Sequence, residues 1–196
     1  MYWNIAAECI SLVILCIIWI YASKSNPLPT IKNKMFRGCF LTTFCAMVFN
    51  ILSTVLITNY QSVPLLLTWG VTLLYYIATP LMGMAYYFYT AAILYEKRGG
   101  LWKLLGWVSI PGASYLLLVL LNPWTKWLFD INLQEGYVHG PLIAATYLVF
   151  YLYCLAALLL LWFRGGWVEP TIRRILRTFP LMAFIVILIQ QIFPRI

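Results

Sequence analysis

Charged residues are scarce in this chain of 196 residues: they make up 9% of it, whereas hydrophobic residues make up 64%. A soluble domain of average composition carries about a quarter charged residues. Because so few charged side chains cannot cover a water-facing surface, the composition excludes a soluble globular enzyme. The aromatic content of 17% excludes an intrinsically disordered chain. The apolar runs are continuous, which argues against a β-barrel, whose strands alternate apolar and polar residues.

Catalytic and cofactor motifs are missing as well. The chain has no GxSxG, no HExxH and no phosphate-binding glycine loop, and its apolar runs contain no histidine that could ligate haem. The five cysteines lie inside or beside apolar runs without CxxC spacing, so we interpret them as small membrane-core residues. These gaps predict a non-catalytic protein without metal or cofactor. The net charge of +8 lies in short loops and does not indicate nucleic-acid binding.

The sequence does contain six apolar runs suited to crossing a bilayer, which takes about 20 helical residues. We predict one all-α integral membrane domain over residues 1–196. The sixth run is short, and it reaches spanning length only if its helix begins at Pro170, where a missing N–H costs nothing. The predicted spans cover about residues 3–22, 39–58, 65–95, 102–121, 142–163 and 170–193.

Positive charge alternates between the loops and predicts the orientation. Eleven Lys and Arg residues lie after the first, third and fifth spans, and two lie on the opposite side. Loops rich in Lys and Arg stay in the cytoplasm. We therefore expect the N-terminus to lie outside, together with the loop between the fourth and fifth spans.

This outer loop, residues 122–141, reads NPWTKWLFDINLQEGYVHGP. Apolar and polar residues alternate over residues 127–134, which is typical of a strand. A turn at residues 135–136 and a return strand at residues 137–138 complete a small β-hairpin. We expect the hairpin to lie across the outer mouth of the bundle with its aromatic face down. His139 is the only histidine and lacks the partners that a metal site needs.

Few ionisable groups lie at membrane depth. Glu8, in the outer third of the first span, either faces a cationic or amine ligand or is hydrated at the interface. The tyrosines of the third span either line an aromatic cavity or belong to interfacial belts and packing. A ligand pocket beneath the hairpin would combine these candidate residues: Glu8, Tyr75, Tyr76, Asn122, Asp130 and Tyr137.

Two features predict helix packing. Asn50, in the second span, is a polar residue of the kind that hydrogen-bonds between helices in a membrane. Thr79 and Gly83 form a pair of small residues four apart in the third span, which permits close contact with another helix. Both features therefore predict roles in assembling the bundle.

The outer loop and the apolar run after it resemble a seven-helix region at the N-terminus of bacterial histidine kinases and GGDEF-type diguanylate cyclases. In that region an Asn-Pro ends the fourth helix, and a Phe-Asp strand and a Gly-Tyr return lead to a Gly-Pro. The end of the chain, IQQIFPRI, is similar to its sixth helix, after which a seventh helix would lead inside. The matching residues here are Asn122, Pro123, Phe129, Asp130, Gly136, Tyr137, Gly140 and Pro141.

The resemblance implies a non-catalytic sensor or receptor in a bacterial cytoplasmic membrane. Such a module would pass its signal to a kinase or cyclase domain that these 196 residues do not contain. The implied partners are membrane lipid, an unknown small ligand and a second copy joined through the output domain. The alternative is a small six-helix transport protein, such as the substrate-binding subunit of a vitamin transporter. That class has both ends in the cytoplasm, against the charge pattern.

Overall fold

The computed structural model describes residues 6–24, 30–95, 100–134 and 136–192. Within these ranges the chain folds into six α-helices and one two-stranded antiparallel sheet, and a short 3-10 turn precedes the last helix. The elements are α1 (Ala6–Lys24), α2 (Ile31–Thr58), α3 (Leu65–Leu94), α4 (Leu101–Thr125), β1 (Phe129–Asn132), β2 (Gly136–His139), α5 (Ala144–Arg164) and α6 (Pro170–Ile192).

Four helices, α2 to α5, are long and apolar enough to cross a bilayer, judged by length and composition. The first helix contributes a shorter apolar stretch over Glu8–Ala22. The predicted fold class is therefore confirmed as a helical chain with four apolar helices of spanning length and a small hairpin. Six spans and an outside N-terminus stay predictions.

Helix α2 begins at Ile31 and not at residue 39, where the apolar run starts. Thr30 caps it, because the Thr30 hydroxyl accepts a hydrogen bond from the Asn33 backbone N–H at 3.4 Å. Lys32 and Lys34, which the sequence placed in a loop, therefore lie in the first turns of a helix. The prediction followed hydropathy alone, whereas lysine has a high helix propensity and extends a capped helix readily.

Helix α4 continues past Asn122 and Pro123 to Thr125. It ends where Lys126 adopts a left-handed φ of 54°, with its N–H bonded to the Asn122 carbonyl at 2.8 Å. The expectation that the Asn-Pro pair ends this helix is wrong by almost one turn. Proline removes only its own N–H donor, so a helix packed against neighbours can contain it.

Helix α3 occupies the centre of the fold and packs against α2, α4 and α5. A Cβ atom on Gly83 would lie 3.1 Å from the Phe150 ring and 3.2 Å from the Phe150 carbonyl oxygen. Gly83 therefore allows the α3 and α5 backbones to approach closely, which confirms its predicted packing role. The Thr79 hydroxyl bonds to the Tyr75 carbonyl of its own helix at 2.9 Å.

A tyrosine of α5 inserts into the backbone of α4 beside Pro111. The Tyr153 hydroxyl accepts a hydrogen bond from the Gly112 N–H at 2.9 Å and donates one to the Val108 carbonyl at 2.7 Å. In a regular helix these two backbone groups would pair with each other. A Cβ atom on Gly112 would lie 2.8 Å from the hydroxyl oxygen, so the glycine makes room for the insertion. Such insertions are a recognised cause of helix kinks.

A second tyrosine supplies the hydrogen-bond donor that a proline in α6 lacks. Pro180 has no N–H, so the Leu176 carbonyl four residues earlier loses its intrahelical donor. The Tyr86 hydroxyl of α3 donates a hydrogen bond to this carbonyl. The rings of Tyr86 and Phe179 stack with their centroids 4.3 Å apart. The central helix is therefore bonded directly to α6 at its proline.

We expect Tyr86→Phe to lower the free energy of unfolding by about 1–3 kcal/mol, since the Leu176 carbonyl would lie buried without a donor. In a Pro180→Ala background the restored N–H can bond the same carbonyl, so Tyr86→Phe should cost less there. Denaturation midpoints of the four proteins in one detergent measure this coupling. An equal cost in both backgrounds would contradict the pairing.

Candidate functional site

Asn122 fixes the start of the hairpin. Its side chain is fully buried, and its Oδ1 accepts hydrogen bonds from the Leu128 N–H at 2.7 Å and the Phe129 N–H at 3.4 Å. Its Nδ2 donates to the Phe129 carbonyl at 3.0 Å. The last turn of α4 therefore holds the backbone of β1 through one amide group. The Asn122 side chain thus holds the loop in its conformation. Its predicted contact with a ligand stays a prediction.

Two glycines close the hairpin. Gly136 begins β2 with a φ of +73°, a left-handed conformation that residues with a Cβ atom rarely adopt. Gly140 lies against the backbone of Trp127, and its N–H donates to the Leu128 carbonyl at 2.8 Å. A Cβ atom on Gly140 would collide with the Trp127 carbonyl group. Both positions belong to the motif on which the family resemblance depends, and both require glycine for steric reasons.

The register of the two strands decides which side chains face the helices. Phe129 pairs with His139 and Ile131 pairs with Tyr137, so these four side chains share one face of the hairpin. Phe129 is 0% exposed and Ile131 is 2% exposed. Asp130 pairs with Val138 and lies on the opposite face.

Four aromatic residues, Trp69, Tyr76, Phe129 and Tyr137, form what we call the hairpin cluster. The Phe129 ring stacks on Tyr76 with centroids 4.9 Å apart and lies 4.7 Å from Trp69 and 6.1 Å from Tyr137. The Trp69 indole N–H donates to the Ile131 carbonyl at 3.2 Å. Because Trp69 and Tyr76 belong to α3, the hairpin is docked on the central helix. These aromatic side chains lie beneath the hairpin, where the sequence predicted a ligand pocket, and the pocket itself stays a prediction.

The strand is shorter than its alternating pattern predicted. Trp127 and Leu133, expected to face down with Phe129, are 44% and 65% exposed. The interpretation of residues 127–134 as one strand is therefore wrong at both ends, since β1 has four residues. The bonds of Asn122 to Leu128 and Phe129 fix where the strand can begin, and alternation alone carries no information about them.

Three side chains of the site form a chain of hydrogen bonds. The Tyr137 hydroxyl bonds to the Tyr76 hydroxyl and lies 3.3 Å from Nδ1 of His139. Tyr76 is 5% exposed, whereas His139 is exposed. Burial raises the pKa of the Tyr137 phenol to about 12, so this hydroxyl keeps its proton at physiological pH. The chain thus joins a solvent-exposed ring to a buried phenol of α3.

Asp130 serves the loop itself. Its Oδ2 pairs with the Lys126 ammonium at 2.7 Å, and its Oδ1 accepts a hydrogen bond from the Ile131 N–H at 2.9 Å. Lys126 is the residue that ends α4 in the left-handed conformation. The predicted contribution of Asp130 to a ligand pocket stays a prediction, with its carboxylate engaged in these two contacts.

Glu8 and Asn50 pair between α1 and α2. The Asn50 side-chain amide donates to Glu8 Oε1 at 3.4 Å, in line with the predicted interhelical role of Asn50. The other oxygen, Oε2, is buried and has no hydrogen-bond partner among the residues that the structure describes. Tyr75 lies within electrostatic reach of Glu8, and its ring contacts Tyr76 edge-on at 5.3 Å. Tyr75 thus lies beside the hairpin cluster.

Trp69 is the main residue of the site that the sequence reasoning missed. It lies seven positions before Tyr76, which is two turns of α-helix and places both rings on one face. Ser53 and Thr72 were missed as well, and their hydroxyls bond to each other at 2.9 Å between α2 and α3. Helical spacing from Tyr76 was the available signal for both α3 residues.

The site offers no metal centre: in the described part of the chain, no group of three or more His, Cys, Asp or Glu residues could hold an ion. No protein-family model matches the chain, and no curated protein or solved structure gives a match either. The geometry of the hairpin and its contacts is therefore the basis for the function proposed below.

We expect Phe129→Ala to lower the free energy of unfolding by about 3–5 kcal/mol and to expose the hairpin to proteolysis. The reason is the loss of a fully buried ring that contacts three aromatic neighbours. Leu133→Ala, on the exposed turn of the same hairpin, is the control and should change stability by less than about 0.5 kcal/mol. Similar effects of the two substitutions on the denaturation midpoint would show that the hairpin is not docked.

Proposed function

We propose that this chain is a non-catalytic sensor module of a bacterial membrane signalling protein. Its stimulus acts on the outer hairpin, and its signal passes to a cytoplasmic kinase or diguanylate cyclase domain. The observation that supports this proposal is the hairpin cluster, in which a surface element is docked by Phe129 onto the central helix of the bundle. A stimulus that moves the hairpin must also disturb the contacts of α3.

The contacts of α3 provide a route from the hairpin to the other helices. Tyr76 contacts the hairpin, and Tyr86, ten residues further along α3, holds the Leu176 carbonyl of α6. Ten residues of helix correspond to about 15 Å. Packed helices shift as units between discrete arrangements. A displacement of α3 at Tyr76 would therefore also displace α6 at its proline. In this proposal α6 is followed by a seventh helix, which leads back inside to the cytoplasmic output domain.

The proposal includes six spanning helices with the N-terminus and the hairpin outside. The eleven positive charges that the positive-inside rule assigns to the cytoplasm include Arg173, Arg174 and Arg177, in the first turns of α6. Four helices of spanning length support a membrane location. The partners in this scheme are membrane lipid, a small ligand or other external stimulus, and a second copy joined through the output domain.

Weakening the hairpin cluster should alter amide exchange well beyond the hairpin. Hydrogen–deuterium exchange is measured on the purified native protein and on Phe129→Leu. Exchange in the variant should be faster than in the native protein in the hairpin and also around Leu176 in α6. Leu133→Ala is the control and should leave both regions unchanged. An increase that stays within residues 127–140 would contradict transmission and leave the hairpin a passive cap.

Reporter fusions test the orientation. Fusions after Gly100 and Gly165 should report the cytoplasm, and a fusion after Gln134 should report the outside, because of the loop charges. A cytoplasmic signal at Gln134 would overturn the proposed topology. That result would favour the transport alternative, whose members have both ends in the cytoplasm.

A further inference from the structure

The hydrogen-bonded chain from Tyr76 through Tyr137 ends on an exposed histidine of the hairpin, His139. Histidine is the residue type that gains or loses a proton between pH 5 and 8. His139 is exposed at the end of β2, and its ring meets Tyr137 edge-on with centroids 5.0 Å apart. Its Nδ1 lies 3.3 Å from the Tyr137 hydroxyl.

The direction of the hydrogen bonds in this chain depends on the charge of His139. In the neutral ring with its proton on Nε2, Nδ1 accepts the Tyr137 proton. The Tyr137 oxygen is then free to accept the proton of Tyr76. In the imidazolium form Nδ1 is a donor, so the Tyr137 oxygen accepts from it and Tyr137 must donate to Tyr76 instead.

The reversed chain costs Tyr76 its acceptor. Among the described residues the Tyr76 hydroxyl has one hydrogen-bond partner, the Tyr137 hydroxyl. Tyr76 is 5% exposed, so water cannot easily replace the lost acceptor. A buried donor without an acceptor is unfavourable. Protonation of His139 thus weakens the contact that holds β2 against α3.

Four other ionisable groups lie around these hydrogen bonds in the described part of the chain. Tyr147 of α5 and Tyr76 of α3 are the groups that act on Tyr137, and both are phenols. Lys126 and Asp130, at the start of the hairpin, neutralise each other in an ion pair. Glu135 lies outside the described residues.

We propose that the hairpin is a proton-responsive cap, in which protonation of His139 reverses the hydrogen bonds through Tyr137 and weakens the contact of β2 with Tyr76 on α3. This inference rests on the proposed sensor function, for which it names the external proton as a stimulus. The hairpin is docked at neutral and alkaline pH and opens more often as the pH falls through the range in which histidine titrates.

The test compares hydrogen–deuterium exchange of residues 127–140 in the native chain and in His139→Gln, at pH 8 and at pH 5. Dividing the native rate by the variant rate at the same pH removes the intrinsic pH dependence of exchange. We expect this ratio to rise about fivefold from pH 8 to pH 5, which corresponds to one hydrogen bond of about 1 kcal/mol. A ratio that is the same at both pH values would overturn the proposal.

Tyr137→Phe is the second variant, because it keeps the histidine and removes only the hydroxyl in the middle of the chain. The ratio of the exchange rate of Tyr137→Phe to that of His139→Gln should be the same at pH 8 and at pH 5. If Tyr137→Phe keeps the full pH response of the native chain, the charge of His139 acts by another route and the hydrogen-bond mechanism is wrong. The sensor proposal is tested separately, by the faster exchange around Leu176 that is expected in Phe129→Leu at a single pH. A missing proton response therefore contradicts only the role of His139, whereas unchanged exchange around Leu176 contradicts the sensor proposal.

Discussion

Phe129 lies between the hairpin and α3, and the rest of the site depends on how its ring is held. Tyr76 and Trp69 contact the ring from α3, and Tyr137 contacts it from β2. Asn122 fixes the backbone on which the ring is carried. With the ring at 0% exposure, the hairpin can leave α3 only by opening this aromatic contact. A displacement of the hairpin would therefore also disturb the contacts of the central helix.

Tyrosine hydroxyls join two pairs of helices in this protein, α3 to α6 and α5 to α4. In lipid there is little hydrophobic gain from bringing two apolar helices together, so small residues and interhelical hydrogen bonds provide the specificity. Tyr153 inserts into α4 beside Pro111, and Tyr86 supplies the donor that Pro180 lacks. Both bonds hold a helix at a proline, where its own backbone pairing is incomplete. Such points are suited to a shift between two arrangements, because few backbone bonds must break.

The sequence was sufficient for the helical class and for the existence of the hairpin, because hydropathy and turn residues are local signals. It was also sufficient for the packing role of Gly83. It failed at the start of α2, where Thr30 caps a helix whose first turns are polar. It also failed on Trp127 and Leu133, because β1 has only four residues and both side chains lie beyond its ends.

The candidate site was also predicted only in part from the sequence. Tyr76 and Tyr137 were named from the sequence, and the structure brings their hydroxyls together. Trp69 was missed, because only its spacing of seven residues from Tyr76 distinguishes it from exposed tryptophans in apolar runs, such as Trp107. Asn122 and Asp130 were named as ligand contacts, which stays a prediction, and the sequence reasoning missed that their side chains hold the loop through contacts with residues four to seven positions away.

The central claim is that the hairpin is docked on α3 through Phe129. The most direct measurement is NMR of the chain in nanodiscs with labelled Phe and Trp side chains. The account predicts a cross-peak between the Phe129 ring and the Trp69 indole, whose centroids lie 4.7 Å apart, and its loss in Phe129→Leu. A Phe129 ring without contact to Trp69 would contradict the docked hairpin, and with it the route from the surface to the central helix.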